Sequence, residues 1–148
     1  MRINTVSDLS LCQQLWRRLV PSQSLFDLWE IRACFQEQYG YRPRFLVAED
    51  GSGVHGLLAL SEIEDHGYCG CFPGETWGGK TWLEQNRIIA DTAEVRQQLL
   101  EACPAETHLR YLLAEGDASE QICDVDEIGY LFHPAEHDYC FETYLAAF

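Results

Sequence analysis

The sequence predicts an α/β (α+β) fold, a mixed and mostly antiparallel sheet with helices on both faces. Two amphipathic helical stretches occupy most of the first 40 residues. Three apolar runs separated by tight-turn chemistry follow between residues 44 and 72, as in antiparallel hairpins. Helical and strand-like stretches then alternate to the end of the chain. At 148 residues the chain has the size of one domain, 1–148, with room for a full core.

Arg2-Ile-Asn-Thr-Val6 alternates and reads as a short strand. Ser7 or Asp8 can cap a helix in which Leu9, Cys12, Leu15, Trp16 and Leu19 recur at helical spacing, and Pro21 ends it. Ser24 with Asp27 is a variant of the capping box. Leu25, Leu28, Ile31, Phe35 and Tyr39 form the stripe expected to face inward on a second helix, which Gly40 stops. Arg44 to Glu49 and Val54 to Ile63 are two strands of a hairpin around Asp50-Gly-Ser-Gly53. Tyr68 to Phe72 is a third, antiparallel strand, with Gly70 at a bulge or close approach. Trp82 to Ala90 is helix-compatible. Asp91 or Thr92 caps a helix from Ala93 to about Cys103, with Val95, Leu99 and Leu100 inward. His108 to Glu115 reads as a buried strand, 116–126 as acidic with one short helix, and Ile128 to Phe132 as a last strand. From Glu136 a helix carries Phe141, Tyr144, Leu145 and Phe148 at i, i+3, i+4, i+7, a stripe that runs to the last residue. That stripe predicts docking on the domain, continuation into a longer protein, or a dimerisation surface.

The net charge of −14 is uneven: residues 101–148 hold 11 acids and one base, Arg110. Such a surface repels nucleic acid and anionic membrane, so neither is an expected partner. It reads first as a solvated acidic face, and otherwise suits a cationic substrate or a basic partner protein. No apolar leader-like region and no membrane-length run is visible, and the seven cysteines sit in apolar segments rather than at loop spacings. The expectation is a cytoplasmic protein with buried, reduced thiols.

The distinctive stretch is Phe72-Pro-Gly-Glu-Thr-Trp-Gly-Gly-Lys-Thr-Trp-Leu-Glu-Gln-Asn-Arg87, which holds two of the four tryptophans and the single lysine. Gly74 to Thr81 formally fits the phosphate-cradling pattern G-x-x-x-x-G-K-T. In a nucleotide-binding protein of that kind, backbone N–H groups would hold phosphate, Lys80 the outer phosphates and Thr81 a magnesium ion. Trp77 stands where that loop wraps tightly, and an antiparallel hairpin precedes it instead of a parallel βαβ unit. The alternative is a substrate-facing rim in which Trp77 and Trp82 supply flat apolar surface and Lys80, Glu84 and Asn86, with Glu75, supply polar contacts. A third reading is a long connection whose tryptophans cap the core. Cys69-x-Cys71 does not have the usual zinc-site spacing and Pro134 interrupts the His133-x-x-x-His137 pair, so no metal is expected.

Several segments resemble the N-terminal half of the FemAB-like, tandem-GNAT acyltransferases: Trp16 to Phe26, Phe45-Leu-Val-Ala-Glu-Asp50, Gly56-Leu-Leu-Ala-Leu60, Phe72-Pro-Gly-Glu-Thr-Trp77 with Asn86, and Phe141 to Phe148. The order of predicted elements is also similar to that of the GNAT fold. The resemblance implies transfer of an acyl or aminoacyl group to a small-molecule or peptide amine, with a second GNAT-like half or a homodimer partner. GNAT enzymes hold the coenzyme A pyrophosphate on a Q/R-x-x-G-x-G/A loop after the fourth strand. The run from Phe72 to Thr81 does not match it. The resemblance therefore implies that acyl-CoA or an aminoacyl donor serves the parent enzyme, with no cofactor held within this chain. It leaves the catalytic residues unassigned and Trp77, Lys80, Trp82, Glu84 and Asn86 as substrate-side candidates. The rival expectations are the P-loop protein and a non-catalytic binding or dimerisation module.

Overall fold

The computed structural model describes residues 1–74, 83–113 and 134–146. The chain divides into two compact units, Met1–Leu113 and Ala114–Phe148. The first is an α+β unit built on a mixed, mostly antiparallel sheet.

Strand β1 (Arg2–Val6) leads to α1 (Leu9–Leu19), and Asp8 caps that helix by accepting the Leu11 N–H at 2.9 Å. A short 3-10 turn, Leu25–Asp27, precedes α2 (Trp29–Tyr39), which ends at Gly40 in the left-handed region. Strands β2 (Arg42–Asp50) and β3 (Gly53–Ile63) form the expected hairpin, and β4 (Tyr68–Cys71) follows antiparallel to β3. After β5 (Ile88–Ala90), Thr92 caps α3 (Ala93–Glu101), and β6 (Thr107–His108) lies parallel to β4. The sheet order is β1-β2-β3-β4-β6, with β5 also on β3.

Both β4 and β5 are antiparallel to β3: Leu60 faces Cys71, and two residues away Leu58 faces Ile88. They are successive pieces of one lane beside β3. The described chain leaves that lane after Cys71 and rejoins it at Ile88, and the segment 72–87 between them, described at 72–74 and 83–87, is termed the excursion.

Side chains alternate across the strands, which sorts the core into two layers. Phe45, Val47, Leu57 and Phe72 pack with Cys12, Trp16 and Trp29 beneath α1 and α2. Leu46, Ala48, Leu58, Leu60 and Ile88 pack with Val95 and Leu99 of α3 on the other face. The sheet is covered on both sides, so residues 45–48 of β2 are all buried and apolar. Cys12 is fully buried, and burial, with Asp8 nearby, pushes its thiol up to about 12.

Three expectations are corrected. The buried face of α2 is Trp29, Arg32 and Gln36; Leu25 and Leu28 are 59% and 39% exposed. The helix starts at Trp29, and tertiary contacts to its tryptophan and arginine override the apolar spacing. Residues 83–87 are not helical, since Gln85 has φ 59°, and β-branched Ile88-Ile89 continue into strand. Among the described residues, the strand expected over His108 to Glu115 appears only as Thr107–His108, with Leu112 making an isolated parallel bridge to Asn86. Tyr111, at φ 49°, breaks the extended run between them. The short helix expected in 116–126 and the strand over 128–132 lie outside the described residues.

In the second unit, a 3-10 turn Pro134–His137 precedes α4 (Phe141–Ala146). Tyr139 is 82% exposed and Leu145 53% exposed. No described helix is long and apolar enough to cross a membrane.

Candidate functional site

The excursion from the sheet has two stems, one at Phe72 to Gly74 and one at Leu83 to Arg87. A single buried cation joins them. Arg32, 1% exposed on the inner face of α2, donates from Nη1 to the Phe72 carbonyl at 2.9 Å and to Asn86 Oδ1 at 2.7 Å. Its Nε donates to the Phe26 carbonyl at 2.7 Å, and its guanidinium lies 5.2 Å from the Trp16 ring centroid. Asn86 is buried as well. Its Nδ2 donates to the Arg110 carbonyl at 2.8 Å, its N–H donates to the Tyr111 carbonyl, and its own carbonyl accepts the Leu113 N–H.

A second buried pair lies alongside. Arg87 Nε donates to Asp27 Oδ1 at 2.9 Å, with both side chains almost fully buried. Asp27 Oδ2 also accepts the backbone N–H groups of Gln23 and Ser24, at 3.1 and 2.9 Å. That is the half of the capping box anticipated from Ser24 and Asp27. Burial alone would raise the Asp27 carboxyl. The Arg87 hydrogen bonds, the two backbone N–H groups and the Arg87 charge outweigh burial and hold it below the usual carboxylate range.

Aromatic rings wall this polar network. Trp29 stacks on Phe72 at 5.4 Å and 13°, and Trp16 meets Trp29, Phe45 and Phe72 at 6.0–6.4 Å. At the first stem the Tyr41 ring covers Gly74, which has φ 115°; a Cβ there would collide with the ring.

The space beside Asp27, Arg32 and Arg87 is only about 10 Å³, at most one water. Among the described residues, the network is packed as a clamp between the two stems. A larger groove of about 370 Å³ lies between α1 and the β1–β2 edge, lined by Asn4, Val6, Leu11, Leu15, Arg18 and Glu49 among others, and by no residue of either stem. Among the described residues, no three His, Cys, Asp or Glu side chains gather as a metal site.

Of the sequence-predicted candidates, Trp77, Lys80 and Trp82 lie outside the described residues, as does the run from Glu75 to Thr81. Glu84 is exposed on the second stem, where its carboxylate can meet a solute. Asn86 is turned inward, and its amide is engaged by Arg32 and Arg110. The residues that sequence reasoning missed are Arg32, Asp27 and Arg87. The available signal was an arginine at i+3 from Trp29 with Gln36 a turn later, a stripe polar enough to pass for a solvated face.

Searches against family models, curated proteins and solved structures find no match to this chain.

Proposed function

We propose that the chain is a GNAT-like domain of an N-acyltransferase, contributing the amine-side cleft instead of the acyl-CoA site. The observation that carries the proposal is the sheet order, an antiparallel run β1 to β4 with β6 parallel to β4 after α3; the junction between β5 and α3 bears on the acyl-donor side. A GNAT enzyme would wrap a glycine-rich loop around pyrophosphate at such a helix start. Here only Asp91 and Thr92 separate β5 from α3; Thr92 accepts the Val95 N–H and Asp91 carries negative charge. That junction is too short and of the wrong sign for a pyrophosphate.

The parent reaction is attack of an amine lone pair on an acyl carbonyl. A C–N bond forms, the bond to the donor's leaving group breaks, and a base takes the amine proton while N–H donors hold the oxyanion. The contribution of this chain is positioning. Arg32 and Asn86 tie down both ends of the excursion, and exposed Glu84 offers a carboxylate to the ammonium form of the substrate. The acyl-donor site belongs to a second GNAT-like half or to a homodimer partner.

The P-loop alternative requires a helix directly after Lys80 and Thr81. Residues 83–87 are not helical and 88–90 are strand, which counts against it. The test is a tryptophan-fluorescence titration with coenzyme A, with ATP–Mg²⁺ and with a panel of amines (spermidine, glucosamine, a lysine peptide). The expected result is a saturable response to an amine, weakened in Glu84→Gln, and none to coenzyme A or ATP–Mg²⁺. Coenzyme A binding at this chain, or silence toward every amine, would overturn the proposal. ATP–Mg²⁺ binding abolished by Lys80→Ala would establish the P-loop instead.

A further inference from the structure

The tip of the β2–β3 hairpin carries a cluster that the function above does not use. His55 Nδ1 lies 2.9 Å from Asp91 Oδ2, and Nε2 lies 3.0 Å from Asp50 Oδ1 and 2.9 Å from Ser52 Oγ. Serine, histidine and aspartate in this order suggest a nucleophilic triad. The second carboxylate defeats that reading. Asp50 Oδ1 takes the Ser52 N–H at 2.8 Å and the Ser52 hydroxyl at 2.7 Å, as well as facing Nε2. The Ser52 hydroxyl is directed at Asp50 Oδ1 and not held for attack, and when the ring is protonated both nitrogens donate, one toward each carboxylate.

We infer that His55 is a pH-sensitive clasp that fastens the hairpin tip to the start of α3. Asp50 belongs to the end of β2, Ser52 to the turn, His55 to β3 and Asp91 to the link between β5 and α3. One protonated ring bridges all three places. The backbone reinforces the seam, since the Asp91 N–H donates to the His55 carbonyl at 2.9 Å. Directly beyond, Gly56 lets β3 approach α3 so closely that a Cβ would meet Val95 and Leu99. The charged groups acting on His55 are Asp91 and Asp50; Glu94, in the first turn of α3, is engaged with Thr92 and its own backbone. The hydrogen bonds from Asp91 and then Asp50 raise His55 above its ordinary value, while the Ser52 hydrogen bonds hold Asp50 well below the carboxylate range. Asp50 therefore stays charged where His55 titrates. A group whose folded pKa is raised stabilises fully below its unfolded value of about 6.5. The clasp is closed below that pH and opens as pH rises through the higher folded value.

The test is a pH titration of the His55 ring by NMR, with hydrogen exchange of the amides in 51–54 and 91–95, on the native chain and on single variants. The expected midpoint for His55 lies above 6.5 and falls in Asp91→Asn and in Asp50→Asn. After correction for intrinsic chemistry, protection at both segments should drop several-fold across that midpoint, and His55→Gln should show no such step. A His55 midpoint at or below 6.5, or equal protection on either side of it, would overturn the clasp.

Discussion

Replacing Arg32 by methionine tests whether one buried cation holds the two stems of the excursion. Methionine fills much of the same volume with an adaptable apolar chain, so the change isolates the lost hydrogen bonds from a cavity. Three acceptors on three separate segments lose their donor: the Phe26 carbonyl, the Phe72 carbonyl and Asn86 Oδ1. Each buried acceptor left unsatisfied costs about 1–3 kcal/mol. Against this, removing the guanidinium relieves its own desolvation, a gain of several kcal/mol. The three together cost about 3–9 kcal/mol, and the relieved desolvation leaves a net loss of about 1–5 kcal/mol, a large share of the roughly 5–15 kcal/mol that holds a domain together. Arg32→Lys should be nearly as damaging, because an ammonium cannot span the three acceptors as the guanidinium fork does. Urea unfolding followed by tryptophan fluorescence gives the value, and Trp16, beneath the guanidinium, reports the site directly. The cycle with Asn86→Leu should show a coupling of about 1–3 kcal/mol. By contrast, disrupting the exposed Arg17–Glu30 pair should cost at most about 1 kcal/mol. A cost for Arg32→Met no larger than that of the exposed pair would refute the clamp.

Gly56→Ala should destabilise by about 1–3 kcal/mol through overpacking. Its Cβ would stand 2.7 Å from Val95 Cγ1, 2.9 Å from Leu99 Cδ1 and 3.0 Å from the Ile89 carbonyl, and that backbone oxygen cannot rotate away. Thermal melts compare it with native chain, and a neutral effect would mean that α3 rides more loosely on β3. The Asp27–Arg87 pair should contribute stability above the ordinary aspartate value of 3.8 and lose it as pH falls through the lower folded value. Urea midpoints of native chain and Asp27→Asn should therefore differ at neutral pH and converge under acid; a difference that persists in strong acid would assign the effect to packing.

The hairpin, the stop at Gly40 and the two helix starts, each narrowed to a pair of candidate caps (Ser7 or Asp8, Asp91 or Thr92), were legible in the sequence because their causes are local. A turn sequence, a side-chain oxygen at a helix start and a residue that tolerates positive φ act over a few positions. So were the strands β1 to β4, whose apolar runs and turn residues stand next to one another. The burial of Arg32 was decided only in three dimensions. Its acceptors lie 6, 40 and 54 residues away in sequence, and nothing in the spacing of α2 announces them. The same holds for Asn86. It reads as a polar loop residue able to meet a substrate, yet the return of the chain to the β3 lane at Ile88 turns its amide toward Arg32 and Arg110. Ile88-Ile89 themselves fit a helix or a strand in isolation; the open position beside Leu57 and Leu58 of β3 selects the strand. By itself, then, the sequence determined the elements and turns from β1 to β4 and the helix α3, because those answer to neighbours along the chain. Which face of α2 is buried, where the excursion rejoins the sheet and which polar groups become its clamp were decided by tertiary structure, because a buried charge is tolerable only where distant backbone supplies its partners.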